Sequence, residues 1–336
     1  MKKRLLAVLL VSAMSLGLLA GCGDDGAQTP GEGGEQATNE GGAAEKYQVG
    51  FSIAMRDQFW TSMENAMKPF AEENNIDLSI LDANQDVATQ LGQVQTWAAD
   101  GYDAAVIGLA NNDSAEDVLA AAGDMKVVFV NRQPNLDVLK DGQVVYVGTD
   151  ETLYGTEQGN YLAKLFEADG KTEVNIAMFT GTLGLDNVTK RTNSAKAALE
   201  ANGIKANYVF ENTAEWDRGK AMDQFSQFMG TGETVDAVIC NNDEMALGVI
   251  EAMKTNGDKT VFCPVVGIDA TDVGCAAVKA GDMACSVFQD PVAQGEGTLK
   301  CALGLIKGEA IDGLVDNYYN ITPQLVTKDN VDNFIK

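Results

Sequence analysis

From Val49 onward the chain alternates short apolar runs with longer stretches in which apolar residues recur every three or four positions. Val49–Ala54, Leu78–Leu81, Ala104–Leu109, Val127–Val130 and Val144–Gly148 read as buried strands. Between the first two, Phe59, Met63, Ala66, Met67 and Phe70 fall at helical spacing, with Asp57 placed to cap the helix start. Pro69 lies inside that helix and is expected to bend its end. The pattern then restarts, with strands over Val174–Phe179, Ala206–Phe210, Val235–Cys240, Val261–Gly267 and Ala284–Phe288. Helical stretches separate them, including Asn187–Asn202, Glu215–Met229 and Glu244–Asn256. Two successive βαβ series of similar size predict an α/β protein with two doubly wound parallel-sheet lobes.

The N-terminal 45 residues do not follow this pattern. Lys2, Lys3 and Arg4 precede an apolar run from Leu5 to Ala20, which ends in Leu19-Ala20-Gly21-Cys22. A basic start and a short apolar run make residues 1–21 an export signal, and the last four residues resemble a bacterial lipobox. Cleavage before Cys22 and lipidation of its thiol would anchor the chain to the outer face of the cell membrane, with no other membrane attachment expected. Residues 22–45 carry almost no apolar mass and read as a flexible linker.

Charge and composition narrow the function. Lys and Arg total 24 against 49 Asp and Glu, a formal charge of -25, which repels phosphate backbones and argues against a nucleic-acid partner. The chain contains no histidine. A Ser-His-Asp triad, a Cys-His pair and an HExxH zinc site are thereby excluded, which lowers the expectation of catalysis. Cys240, Cys263, Cys275, Cys285 and Cys301 are odd in number and include no CxxC pair, so neither a full disulfide set nor a zinc knuckle is suggested. Cys240 and Cys263 lie in apolar runs and are expected to be buried. A single Cys275–Cys285 bridge stays open.

Open parallel sheets bind ligands beyond the carboxyl ends of their strands. Those ends are rich in chemistry here. Arg56, Asp57, Gln58, Phe59 and Trp60 follow the first strand, and Asn131 and Arg132 the fourth. In the second series come Asp186, Asn187 and Arg191, then Trp216, then Asn241, Asn242 and Asp243, then Asp269 and Gln289. Amides, carboxylates and guanidinium groups joined by aromatic rings suit a polyhydroxylated ligand, whose hydroxyls need donors and acceptors and whose apolar face needs a ring. Asp57, Asn241 and Asp243 suit helix capping equally well, and one residue can do both.

At these residues the chain resembles the pentose/hexose-binding branch of the type I periplasmic binding proteins, its glucose/galactose-binding members above all. The blocks that carry the resemblance are Val128–Pro134, Tyr146–Asp150, Thr213–Asp217, Asn241–Ala246 and Val266–Ala270. The resemblance implies a ligand held between two lobes, residues 46–149 with 290–321 and residues 150–289 with 322–336. Its hinge crossings fall near Thr149–Asp150, Gln289–Asp290 and Ile321–Thr322. By the same resemblance Phe59 and Trp216 sandwich the ring. Asp57 and Asn131 hold hydroxyls from the first lobe, and Asn187, Arg191, Asn242 and Asp269 line the second. Gln289 sits at the hinge where the family has asparagine.

Two departures bear on the ligand. Leu185 and Asn187 stand where the family has a histidine and an aspartate, with Asp186 able to replace that carboxylate if the loop shifts by one residue. The family's calcium loop is missing between Asp169 and Val174, so no metal or other cofactor is expected. The implied function is a monomeric solute-binding protein, not an enzyme. It captures a monosaccharide, galactose or glucose in the first instance, for an ABC transporter permease, with a chemoreceptor as a further partner. A sensor of a sugar-like signal and a binder of ribose, xylose or arabinose are the alternatives. A glycosidase built on Asp57 and Asp269 would have to show turnover. A regulator of the lactose-repressor type is set aside, because an export signal stands where that family has its DNA-binding head.

Overall fold

The computed structural model describes residues 46–255 and 260–335. The export signal, Cys22 and the linker lie outside the described residues.

Strands and helices follow one another as β1 (Tyr47–Ile53), α1 (Gln58–Glu73), β2 (Ile76–Asp82), α2 (Val87–Asp100), β3 (Ala104–Ile107), α3 (Ala115–Ala122), β4 (Lys126–Val130) and β5 (Val144–Gly148). Next come α4 (Glu151–Ala168), β6 (Glu173–Thr180), α5 (Asp186–Ala201), β7 (Lys205–Thr213), α6 (Arg218–Met229), β8 (Ala237–Cys240) and α7 (Asp243–Thr255). The chain ends with β9 (Val265–Asp269), α8 (Asp272–Ala280), β10 (Cys285–Phe288), α9 (Pro291–Lys307), β11 (Leu314–Val315), β12 (Tyr318–Asn320) and β13 (Gln324–Val326).

Two sheets result, ordered β11-β12-β5-β4-β3-β1-β2 and β13-β10-β9-β8-β6-β7. Their main strands pair in parallel, and only β11–β12 and β10–β13 run antiparallel. Helices cover both faces of each sheet, so strands such as β3 and β8 are buried at every residue, which is why they appear in the sequence as unbroken apolar runs. Val49, Phe51 and Ile53 pack on one side of the first sheet, against Met63 and Met67 of α1 and Leu299 and Ala302 of α9. Ala105, Ile107 and Phe129 pack on the other, with Val94 and Trp97 of α2. The second sheet is clothed in the same way by α6, α7 and α8 on one face and α4 and α5 on the other.

All ten predicted strands are present, with three informative differences at element ends. β9 begins at Val265 rather than Val261, because Pro264 lacks the N–H that a ladder needs. α6 begins at Arg218 rather than Glu215: Asp217 caps it by accepting from the Lys220 N–H at 2.7 Å, and Glu215 and Trp216 have φ of 54° and 68°. α1 continues through Pro69 as far as Glu73. The five cysteines of the described residues are all free and buried, so the Cys275–Cys285 bridge does not form.

The chain passes between the sheets three times. β5 belongs to the first sheet and leads into α4 of the second, β10 of the second leads into α9 of the first, and β12 of the first leads into β13 of the second. Thr149 ties two of these passages together by donating its hydroxyl to the Ile321 carbonyl at 2.7 Å.

Candidate functional site

A cavity of about 320 Å³ lies between the two sheets, beyond the carboxyl ends of their strands. All nine residues singled out in the sequence line it: Asp57, Phe59, Asn131, Asn187, Arg191, Trp216, Asn242, Asp269 and Gln289. Met55, Trp60 and Arg132 complete the wall and were not among them. Arg132 had a signal, as the residue after Asn131 at the same strand end. Trp60 had the same kind of signal, as one of the residues that follow the first strand.

Local structure explains how these side chains reach one place. Asp57 caps α1, accepting from the Trp60 N–H at 2.9 Å, and so stands at the cavity rim. Phe59 and Trp60 follow on the first turn, their rings edge to face at 6.0 Å. Asn131, Trp216 and Asp269 all have left-handed φ, at 65°, 68° and 116°. Such backbone costs energy in non-glycine residues and persists where the surroundings enforce it, often at binding sites. Beneath Trp216 the chain is pared to glycine. A Cβ on Gly181 would lie 2.1 Å from the indole ring.

The polar groups hold one another across the gap. Gln289 donates to Asp269 Oδ1 at 3.0 Å and accepts from Asn131 Nδ2 at 2.9 Å and Arg191 Nη2 at 3.1 Å. Asn131 comes from the first sheet, Arg191 and Asp269 from the second. Further bonds join the lobes outside the cavity, from Lys190 Nζ to Gln133 at 2.6 Å and from Thr182 to Gln85 at 3.1 Å. The structure is thus a closed one: eight of the nine side chains are nearly sealed from water, and Asp57 is half-buried.

Hydrogen-bonding capacity is left over, of both signs. Arg191 spends three of its five N–H groups on Glu151, Asn241 and Gln289. Arg132 spends only Nη1, on the Leu109 and Ala110 carbonyls. The Trp216 indole N–H is buried with no partner among the described residues. Asp57 and Asp269 retain acceptor capacity. Burial pushes the Asp57 carboxyl up to about 6, against the pull of the Trp60 N–H and Arg132. Burial likewise raises Asp269 well above the ordinary range, helped by Asp243 and opposed by Arg191. Both carboxylates are starved of donors. Burial lowers Arg132 to about 10.

The loop from Gly181 to Arg191 supplies less than its sequence suggested. Leu185 packs into the core of the second lobe. Asp186 turns outward to Lys190 at 2.7 Å and does not line the cavity, so it does not stand in for the absent carboxylate. Among the described residues no group of three or more His, Cys, Asp and Glu side chains is placed to hold a metal ion, and no helix is long and apolar enough to cross a membrane.

Residues 49–310 match the model of the periplasmic binding protein domain. The chain belongs to the periplasmic binding protein family. It is 37% identical to a putative rhizopine-binding protein of Rhizobium meliloti, over 87% of this chain and 94% of that one. It is 29% identical to a D-galactose/methyl-galactoside binding periplasmic protein of Haemophilus influenzae, over 83% and 89% of the two chains. Among solved structures, an ABC transporter solute binding protein from Bacillus halodurans with bound myo-inositol superposes with a TM-score of 0.77 at 31% identity, covering 87% of this chain and 98% of that one. The relatives of this periplasmic binding protein bind solutes and are not enzymes, in line with the expectation from its missing histidine. The two-lobed α/β architecture is theirs as well.

Proposed function

We propose that this protein captures a six-membered polyhydroxylated ring between its lobes and presents it to an ABC transporter permease, with an inositol-type cyclitol as the first ligand. The observation that carries the reading is the mixed remainder of donors and acceptors in a small cavity walled by Phe59, Trp60 and Trp216. A hydroxyl both donates and accepts, so adjacent hydroxyls satisfy Asp57 and Asp269 on one side and Arg132, Arg191 and the indole N–H on the other. Leaving such groups unmatched costs more than the contacts gain, which gives selectivity. The cyclitol is favoured by the myo-inositol complex among the relatives and by the carboxylate that the 181–191 loop does not deliver. An aldohexose, galactose or glucose, is the second reading, favoured by the galactoside-binding relative.

In this reading the nine lining residues contact the ring, with Phe59 and Trp216 on its two faces. The lobes, residues 46–149 with 290–321 and 150–289 with 322–336, close about the three passages between the sheets. The permease recognises the closed form, because the ligand bridges both lobes only there. A lipid on Cys22 holds the monomer at the outer face of the membrane.

The test is calorimetric titration of the protein, unfolded and refolded to remove carried-over ligand, with myo-inositol, galactose, glucose, ribose, xylose and arabinose. Micromolar binding of myo-inositol, about -8 kcal/mol, is expected. Binding of an aldohexose without the cyclitol would replace the first reading by the second. No binding by any of the six would overturn the polyol reading.

A further inference from the structure

Arg191 reaches the cavity from α5, and the N–H groups it spends on the protein run inward. Nε donates to Glu151 Oε2 at 2.6 Å, in an ion pair whose side chains are 3% and 1% exposed. Glu151 opens α4, one residue beyond the first passage between the lobes. Nη2 donates to Gln289, which begins the second passage. The guanidinium carbon lies 4.8 Å over the Tyr154 ring, whose hydroxyl donates to Thr149 Oγ1 at 2.9 Å, and that hydroxyl donates to Ile321 at the third passage. One cavity-lining cation is therefore tied to every segment that joins the lobes.

Glu151 is the acid that grips Arg191 in this array, and it has no place in ligand contact. It does not line the cavity, and its second oxygen, Oε1, is buried with no partner among the described residues. A carboxylate so placed is costly, and a cost of this kind points to a role that a neutral residue does not fill. The fork of a guanidinium transmits direction as well as charge, so its orientation toward the ligand is set by what grips its far edge.

We infer that Glu151 is a positioning residue that fixes the plane of Arg191 in the cavity and couples that cation's contact with the ligand to closure of the lobes. The inference rests on the proposal that the cleft holds a polyhydroxylated ring. Without the carboxylate the guanidinium swings toward Asp269, the other acid whose field acts on it, and the closed complex falls apart sooner.

The experiment compares the full chain with its Glu151→Gln, Glu151→Asp, Arg191→Gln and Glu151→Gln/Arg191→Gln variants. The probe is myo-inositol, or the aldohexose selected by the calorimetric panel. Fluorescence of Trp60 and Trp216 gives the equilibrium constant and the dissociation rate, and circular dichroism melts without ligand give stability. Glu151→Gln is expected to weaken binding at least tenfold, chiefly through faster dissociation. Glu151→Asp should recover part of that loss, and in the Arg191→Gln background Glu151→Gln should add less than twofold. A melting temperature that falls while affinity stays within twofold, or an equal loss in both backgrounds, overturns the role. Should Glu151→Gln not fold, Glu151→Asp alone decides: wild-type affinity and dissociation rate in that variant overturn it, and faster dissociation supports it. A wild-type chain that binds no ring instead overturns the reading of the cleft.

Discussion

Asp57 shows how one residue serves fold and site together. Its carboxylate caps α1, yet burial holds it near pH 6, above the ordinary carboxylate value of 3.8, with the Trp60 N–H and Arg132 opposing and Glu244 adding to the rise. A raised carboxylate stabilises the empty closed form below about pH 4, and that contribution is lost as pH rises through about 6. A ligand hydroxyl that donates to the ionised form reverses the preference. Affinity should therefore strengthen between pH 5 and 7, by about tenfold in all, and level off above, with a proton released on binding. Calorimetry in buffers of different ionisation heat checks both statements, and a flat profile would remove Asp57 from the ligand contacts. At Gly181 the obstacle to a side chain is space. Gly181→Ala would place a methyl 2.1 Å from Trp216 Cζ2 and displace the ring, so a loss of affinity of about tenfold or more is expected in the same titration. Nine of the twelve lining residues were legible because they stand at strand ends or on the segments that follow them. Glu151 was not, since nothing in a sequence separates a buried acid at a helix start from an exposed one. Nor was the outward turn of Asp186, which the Lys190 ion pair one turn later decides.

At the scale of elements, the β9–α8 turn is a strained part of the site, with Asp269 and Ala270 both at left-handed φ. A buried acid from α7 secures it. Asp243 accepts from Ser286 Oγ at 2.6 Å and from the Thr271 N–H at 2.9 Å, and Ser286 Oγ accepts from the Ala270 N–H at 2.9 Å. Gly267 and Gly274 make room, since a Cβ on either would lie within 2.3 Å of that carboxylate. Asp243→Ala leaves buried donors without an acceptor, and a loss of about 2–4 kcal/mol is expected. Urea unfolding followed by circular dichroism measures it. Affinity should fall with it as Asp269 loses its fixed direction. The same turn chemistry explains which elements the sequence revealed. Long apolar runs announced β1 to β10. β11, β12 and β13 span two or three residues each and leave no periodicity to read. The Trp216 turn was hidden because Glu215 and Trp216 continue the helical spacing of α6, while the Asp217 cap excludes them from it.

For the molecule as a whole, the repetition of five strands announced two lobes, but their connection came from three short segments that periodicity does not mark. Each sheet borrows its last strands from the end of the chain, β12 for the first and β13 for the second. This has a consequence for how the protein is made. Until residues beyond 318 have left the ribosome, β5 is an open edge, and until residues beyond 324 have followed, so is the outer side of β10. Neither sheet is complete until residues 318–326 are in place. An edge left open in both sheets at once exposes two rows of unpaired N–H and C=O groups to other chains.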